Sequence, residues 1–404
     1  MMSRRLRFGL FPCLAVVVLA ACDPGWVQPL GGPDHASYNP GENVLTVANV
    51  ATLQPAFNTS SGTAGSPVVK NGVLVVAPMG GNTVTAFNGT SGAQLWQQTL
   101  SDQINGGPFI DGTTVRVSYG PAGPLYGPSV EQRLDLFSGA EDVPLGTNGA
   151  MVARRGDHSV RLHEIAANGV NEQPFAQISG KPLDGELPLT FASSATLGAK
   201  YLYVTGKTAS GSPGIWAIDA DQDCADRCAA AWSHIFDNLT GVEAPAIGPD
   251  GTLYVTATGP PVGVNLNSSL TALDGNTGSV KWTVSSSLLP LGTPAVANGV
   301  VYSRSAILNP ADITVVAVSA TDGHRLWISQ QLLFANLAVA GGVVYTTFGD
   351  EVIAYDANGC GQTFCPPIWY SSLQNGQPTG IAVSGGILYI GTTNGVTAFK
   401  PTRS

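Results

Sequence analysis

The chain copies itself. The segments TAFNGTSGAQLW (85–96), TALDGNTGSVKW (271–282) and VAVSATDGHRLW (316–327) share one layout, an alanine ten residues before a tryptophan and a glycine four before it. Upstream of each stands a second shared piece: SPVVKNGVLVVA (66–77), APAIGPDGTLYVT (244–256) and TPAVANGVVYS (293–303). In all three an apolar run, an Asn-Gly or Asp-Gly pair and a second apolar run follow in order. Such a pair is a hairpin signal, because a two-residue hairpin turn needs positive φ at its central residues, which Asn, Asp and Gly tolerate. The period of about 40–50 residues is too short for a domain, so each copy must bury its apolar faces against its neighbours.

Weaker copies fill the intervals. GPFIDGTTVRVS (107–118) leads to RLDLFSGAEDV (133–143), with Val143 in the tryptophan place, and residues 149–178 hold the faintest copy, with Phe175 there. TLGAKYLYVT (196–205) leads to Trp232, and LAVAGGVVYTT (337–347) leads to Trp369. The last copy, IAVSGGILYIGTTNGVTAF (381–399), lacks a fourth strand, while VATLQPAFNTS (50–60) supplies a spare one with Phe57 in the tryptophan place. Seven complete copies and one shared between the ends predict an all-β fold, an eight-bladed β-propeller over residues 50–404. The N-terminal strand closes the ring by pairing with the C-terminal blade, because an open ring would leave a bare strand edge. With 50 glycines, 28 prolines and only 11% charged residues, the composition suits short strands and tight turns.

The pattern A-x-D-x-x-T/S-G-x-x-x-W resembles the tryptophan-docking motif of PQQ-like repeats. These repeats occur in quinoprotein alcohol dehydrogenases and in the lipoprotein propeller of outer-membrane barrel assembly. NVLTVANVATLQPAF (43–57) is similar to the N-terminal strand of the quinoproteins. The resemblance covers residues 43–404, strongest at Trp96, Trp282, Trp327 and Trp369 and weakest across 107–190. It implies that the indoles of Trp96, Trp232, Trp282, Trp327 and Trp369 dock each blade on the next. Physics agrees, since one large flat side chain per blade can join sheets face to face.

The N-terminus sets an expected compartment. Arg4, Arg5 and Arg7 precede the apolar run 8–21, which is shorter than the about 20 residues of a spanning helix and reads as a signal peptide (1–21). Leu19-Ala20-Ala21-Cys22 resembles the lipobox of lipoprotein signal peptidase, which implies lipidation at Cys22; Asp23 after it resembles an inner-membrane retention signal. Ser3-Arg4-Arg5 matches a twin-arginine signal only in part. Residues 22–49, rich in Pro, Gly and polar residues, are expected to form a lipidated flexible tether. Of 18 basic residues the signal removes three, so the mature chain carries 15 against 27 acidic ones, a net charge of −12. That balance argues against nucleic acid or anionic lipid as the main partner.

Cys224 and Cys228, and Cys360 and Cys365, occupy the same loop of two repeats. Export permits disulfides, so Cys224–Cys228 and Cys360–Cys365 are expected as local bridges. A zinc site tolerates such spacings too, but the pairs lie three blades apart and cannot share one ion.

Catalytic machinery is hard to find. Quinoprotein dehydrogenases use a vicinal disulfide and Glu, Asn and Asp ligands for PQQ and calcium; this chain has no adjacent cysteines and lacks their long insertions. Asp219, Asp274 and Asp356 stand where a turn follows a strand, and are expected to accept backbone hydrogen bonds. His35 falls in the tether and His324 in a turn. The densest ionisable cluster is Arg154, Arg155, Asp157, His158, Arg161, His163 and Glu164, in a divergent copy. Arg161 and His163 would share one strand face, making a candidate partner surface or simply a solvated one. No phosphate loop, HExxH or nucleophile elbow is present.

The expectation is a non-catalytic, monomeric propeller, lipid-anchored on the extracytoplasmic side, that serves envelope proteins as a scaffold or adaptor. No cofactor is expected, PQQ included, and no metal. The alternatives are an extracytoplasmic ligand-binding sensor, or a PQQ, redox or sugar-processing enzyme with its site at the central channel.

Overall fold

Two-residue turns between apolar runs build half of the repeats. At Asn71-Gly72, Asn298-Gly299, Gly341-Gly342 and Gly385-Gly386 both residues have positive φ, the signature of the type I′ hairpin. Each turn joins the first two strands of an antiparallel meander. The computed structural model describes residues 25–120, 128–141, 145–148, 150–155, 158–167, 170–178, 181–182, 194–208, 210–219, 230–260, 268–285, 289–306, 313–329 and 336–402. Side chains are described over the same residues except 128–129, 145–195, 285, 289–291, 306 and 313, and the one from Thr196 outward is included.

Eight sheets follow along the chain, spanning 68–99, 103–148, 150–182, 194–235, 241–285, 289–329, 337–372 and 378–401; we number them 1 to 8. Sheet 8 takes its fourth strand from the other end of the chain: Leu53–Asn58 pairs antiparallel with Gly395–Pro401, setting Phe57 opposite Ala398. First strands of neighbouring sheets lie against one another from sheet 1 to sheet 4 and from sheet 5 to sheet 8, the start of sheet 5 lies against the second and third strands of sheet 4, and the first strand of sheet 8 lies against that of sheet 1.

Central strands are buried on both faces, as at Val73–Val76 and Tyr201–Lys207, so they read as continuous apolar runs. Fourth strands such as Gln94–Thr99 alternate, one face inward and one to water. The core is accordingly divided into layers between neighbouring sheets, one joining sheets 1 and 2, others joining 4 with 5, 5 with 6, and 6 with 7. The largest layer joins sheets 7, 8 and 1 and includes Trp26 and Leu45.

The turn between first and second strands and the turn between third and fourth strands lie on one side of the molecule. Gly89 N–H donates to Gly72 O at 2.8 Å in sheet 1, Leu136 N–H to Thr113 O at 2.8 Å in sheet 2, and Ala357 N–H to Gly342 O at 2.9 Å in sheet 7. Turns between second and third strands lie on the far side.

The expectation of a flexible tether over 22–49 is corrected for residues 25–49. Trp26 is 1% exposed and Leu45 fully buried, with Ser37, Asn39 and Glu42 also buried. The physical reason is hydrogen bonding rather than apolar content. This polar, glycine-rich segment has few side chains to bury, and instead spends its backbone on the edges of the sheets.

Candidate functional site at the strapped side

Residues 25–42 form a strap that runs across the ends of the first strands, meeting sheets 1, 2, 4, 5, 6, 7 and 8 in that order. Trp26 and Val69 exchange both backbone hydrogen bonds at 2.8 and 2.7 Å, and Ile110 N–H donates to Val27 O at 2.9 Å. Leu197, Ile247, Val296 and Val339 N–H groups then donate to the carbonyls of Pro33, Asp34, Ala36 and Ser37 at 2.9, 3.0, 2.8 and 2.8 Å. Reaching a new sheet every one or two residues needs an unusual backbone: Leu30, His35 and Ser37 have φ of 63°, 51° and 48°. Tyr38–Asn39 then pairs in parallel with the first strand of sheet 7.

The strap ends on a buried carboxylate. Glu42 Oε1 accepts from Val44 and Leu45 N–H at 2.8 and 2.9 Å, and Oε2 accepts from Gly386 N–H in the sheet 8 turn at 2.9 Å. At its middle sits His35. Thr196 Oγ1 donates to Pro245 O at 2.8 Å, so its contact with His35 Nδ1 at 3.1 Å is one in which the imidazole N–H donates. That assigns the proton to Nδ1 by hydrogen-bond logic. Burial pushes the His35 pKa down to about 4, so the ring is neutral at pH 7. A cavity of about 740 Å³ lies between the strap and the turns of sheets 4, 5 and 6, lined by Val27, Pro33, Ala36, Leu197, Ile247 and Val296, with Asp34 beside them.

The five tryptophans all reach across to the following sheet. Indole N–H groups of Trp96, Trp232, Trp282 and Trp327 donate to Leu136, Gly275, Ala320 and Ala357 O at 2.9, 3.1, 3.0 and 3.2 Å. Trp369 donates to Leu53 O in the shared strand at 3.2 Å. The motif glycine explains itself here: a Cβ on Gly139 or Gly323 would stand 2.7 Å from the ring of Trp96 or Trp282. Phe57 occupies the same place against Gly92 of sheet 1. Second-strand tyrosines double the link, with Tyr203, Tyr302 and Tyr389 hydroxyls donating to Gly275, Ala357 and Gly89 O at 3.1, 3.0 and 3.0 Å.

Sheet 2 departs from this scheme in a way that reading for tryptophans missed. Tyr302 and Tyr389 stand opposite Ala317 and Ala398, but in sheet 2 the matching pair is Arg116 opposite Arg133. Arg116 Nη1 meets the buried Glu131 carboxylate at 2.8 Å, Arg133 Nε meets the same oxygen at 3.1 Å, and Arg116 Nη2 meets Asp111 at 3.3 Å. The signal was present in TVRVS (114–118), where arginine takes the tyrosine place of ILYIG (387–391).

The turn aspartates accept local hydrogen bonds. Asp274 takes those of Asn276 and Thr277 N–H at 2.9 and 3.0 Å, and Asp356 that of Asn358 N–H at 2.9 Å. Burial would raise the Asp274 carboxyl, but the bonds from Asn276 and Thr277 and the charge of Lys281 hold it below the ordinary carboxylate range. Asp219 ends the third strand of sheet 4 at the equivalent place.

Cys360 and Cys365 are joined in a disulfide, their Cα atoms 5.5 Å apart. Cys22, Cys224 and Cys228 lie outside the described residues, as does Asp157. Arg154 and Arg155 fall on the first strand of sheet 3 and Arg161 and His163 on the second, with Met151 opposite Arg161. Their side chains lie outside the described residues. His324 is exposed and 2.6 Å from Asp322. Among the described residues no three His, Cys, Asp or Glu side chains gather in a group able to hold a metal ion, and no helix is long and apolar enough to cross a membrane.

No curated protein matches the sequence significantly. Among solved structures, BamB from Moraxella catarrhalis is similar at a TM-score of 0.61 and 18% identity, over 87% of this chain and 100% of that one. A europium-containing methanol dehydrogenase gives 0.62 at 14% identity, over 91% and 89%. The computationally designed protein Ika8 gives 0.60 at 14%, over 86% and 99%. At such identities the likeness speaks for the fold, and the fold is that of a β-propeller. The family described as outer membrane protein assembly factor BamB matches residues 36–162 and 214–363, well over half of the chain. With the repeat, its docking geometry and this match together, the chain belongs to the BamB family of PQQ-like repeat propellers.

Proposed function

We propose that the protein is a non-catalytic scaffold or adaptor of the cell envelope. It is a single eight-bladed ring closed by strand Leu53–Asn58, lipid-anchored at Cys22 on the extracytoplasmic side, without a resident cofactor. Membership of the BamB family supports an envelope location and a protein partner. The observation that carries the reading is the strap, which ties sheets 1, 2 and 4 to 8 together at one end of the ring. A ring braced in this way suits a rigid platform that presents loops to a partner. The divergent sector of sheets 2 and 3 is where that partner binds, with Arg154, Arg155, Asp157, Arg161 and His163 as contact residues. A second bridge, Cys224–Cys228, pins the sheet 4 loop as Cys360–Cys365 pins that of sheet 7.

The test is in-cell photo-crosslinking from positions 154 and 161, followed by mass spectrometry of the membrane fraction. One abundant envelope protein, lost when Arg154, Arg155 and Arg161 are changed to serine, is the expected result. Crosslinks to no protein from either position would overturn it.

The cavity under the strap favours a second reading, an extracytoplasmic ligand-binding subunit, since about 740 Å³ with an apolar lining falls within the range of small-molecule sites. Ligands that raise the melting temperature of the native chain but not of Ala36→Trp would support it; a screen without any such ligand would end it.

A further inference from the structure

The strap changes what an anchor on Cys22 would mean. Gly25 is already bonded into the molecule's frame, for the next residue, Trp26, exchanges two hydrogen bonds with Val69. Only three residue steps lead from Cys22 to Gly25, a reach of at most about 11 Å. A flexible tether of 28 residues would let the ring tumble freely above a bilayer; a link of three cannot. Whatever surface surrounds Gly25 is held at the membrane.

That surface is independently the apolar one. Among the described residues nine large apolar side chains are exposed. Met79, in the turn between second and third strands of sheet 1, stands on the far side. The others fall just after the strap, in the turns between third and fourth strands, or within two residues of those turns. Val44 (55% exposed) follows the strap, Phe137 (52%) sits in a turn, Val280 (51%) begins an outer strand and Tyr370 (62%) is the second residue of another, while Phe364 (53%) lies in the short strand Phe364–Cys365 beside the outer strand of sheet 6. The basic side chains Lys70, Lys200, Lys281, Arg325 and Lys400 lie at the same end of their strands. Acidic turn residues such as Asp250, Asp274 and Asp322 are interleaved with them. The attraction is therefore one of scattered apolar side chains and lysine stems for an interface, not of net charge for anionic lipid.

We propose that the strapped side of the ring is a membrane-contact surface: it lies on the lipid bilayer, and the far side, with Met79, faces away. The proposal rests on the anchoring reading above, and the two are separable. Side chains at the ring's periphery enter the headgroup region, and the strap forms the floor between them. The turns joining second to third strands then face away from the bilayer, and Arg154 and Arg155, at the strapped-side end of the first strand of sheet 3, meet their partner at the membrane-proximal edge.

The test is hydrogen exchange of the mature chain carrying a lipid at Cys22, free in detergent and bound to vesicles of phosphatidylethanolamine with a minority of phosphatidylglycerol. A parallel sample receives its lipid chemically, through a maleimide-lipid at Cys22, so that it does not depend on processing in the cell. The expected result is slowed exchange on vesicles in peptides covering 43–48, 135–140, 275–280 and 320–326, with 77–82 unchanged. The variant Phe137→Ser with Val280→Ser, both at exposed positions, should lose most of that protection while keeping its exchange pattern in detergent. Equal protection of 77–82, or no vesicle-dependent protection on either side, would overturn the proposal in both samples. A native membrane-extracted chain without a lipid mass at Cys22 would overturn the anchoring reading alone, and the maleimide-lipid sample would still decide the face.

Discussion

Acidification should loosen the strap through one residue. His35 lies midway along it, is 8% exposed and has its pKa lowered to about 4 by burial, against 6.5 for an unhindered imidazole. With the folded value below the unfolded one, the packed strap holds a neutral ring. Its full stability is present above pH 6.5 and is lost as pH falls toward 4, because the released strap takes up a proton that the packed one refuses. At pH 5 the released form gains nearly 1.5 pH units of binding advantage, worth about 2 kcal/mol, or an increase of about 20-fold in the open population relative to pH 7. The positive φ of 51° at His35 recommends His35→Asn as the reference variant, since asparagine tolerates that backbone and keeps a donor for Thr196 without titrating.

The assay is amide exchange at Leu197, Ile247, Val296 and Val339, whose N–H groups bond strap carbonyls, corrected for the intrinsic pH dependence of exchange. In the native chain the corrected opening constant of these four amides should rise about 20-fold between pH 7 and pH 5. In His35→Asn it should stay nearly flat. His234, also lowered by burial, titrates equally in both proteins and cancels in the comparison. Equal pH dependence in the two chains would refute the reasoning, and so would a rise confined to sheets that the strap does not touch.

Trp327, 2% exposed and bonded to Ala357 O, should cost about 3–5 kcal/mol as Trp327→Ala, read from urea unfolding, because a wide cavity opens between sheets 6 and 7. Arg116→Met should cost about 3–5 kcal/mol by leaving the buried Glu131 short of its nearest cation, and Arg116→Met with Glu131→Leu should recover much of that; a double variant worse than the single would argue against the ion-pair account. Glu42→Gln replaces a charged acceptor of three backbone N–H groups and should cost about 1.5–3 kcal/mol, with Gly386 the amide whose exchange quickens first. Unchanged exchange at Gly386 would mean that the carboxylate does not hold the strap's end.

The repeat was legible because its physics is local. An Asn-Gly pair between apolar runs can do little but turn, and a glycine four before a tryptophan is required wherever an indole lies on its backbone, as Gly278 and Gly323 show. Even the shared strand could be read from the ends, because Phe57 keeps the tryptophan spacing when the docking residue changes. The strap was illegible for the opposite reason. Its order comes from backbone carbonyls bonding to sheet edges far along the chain, from Val69 to Val339, and carbonyls are present in every sequence. Its Pro-Gly-rich composition, which elsewhere marks linkers, here supplies turns tight enough to reach a new sheet every one or two residues. Arg116 was missed because charge in a strand suggests solvent, whereas here two arginines and two carboxylates neutralise one another within sheet 2.

These two unread features bear on one weakness. Where sheets 4 to 6 are each linked to the next by an indole and a tyrosine, sheet 2 carries Arg116 in the tyrosine place, and its sequence has Val143 in the tryptophan place. Arg116 spends its ion pairs on Asp111 and Glu131 of its own sheet, where desolvation takes back most of what charge attraction gives. The strap spans that very sector, bonding Ile110 of sheet 2 through Val27 and Leu197 of sheet 4 through Pro33, so the two sheets flanking sheet 3 are held by one short segment. With its flanks fixed from the end of the ring, sheet 3 is freed from the packing demands that keep the other repeats alike. The divergence of residues 107–190 is then a consequence the fold can bear, and loosening the strap should destabilise this sector before any other.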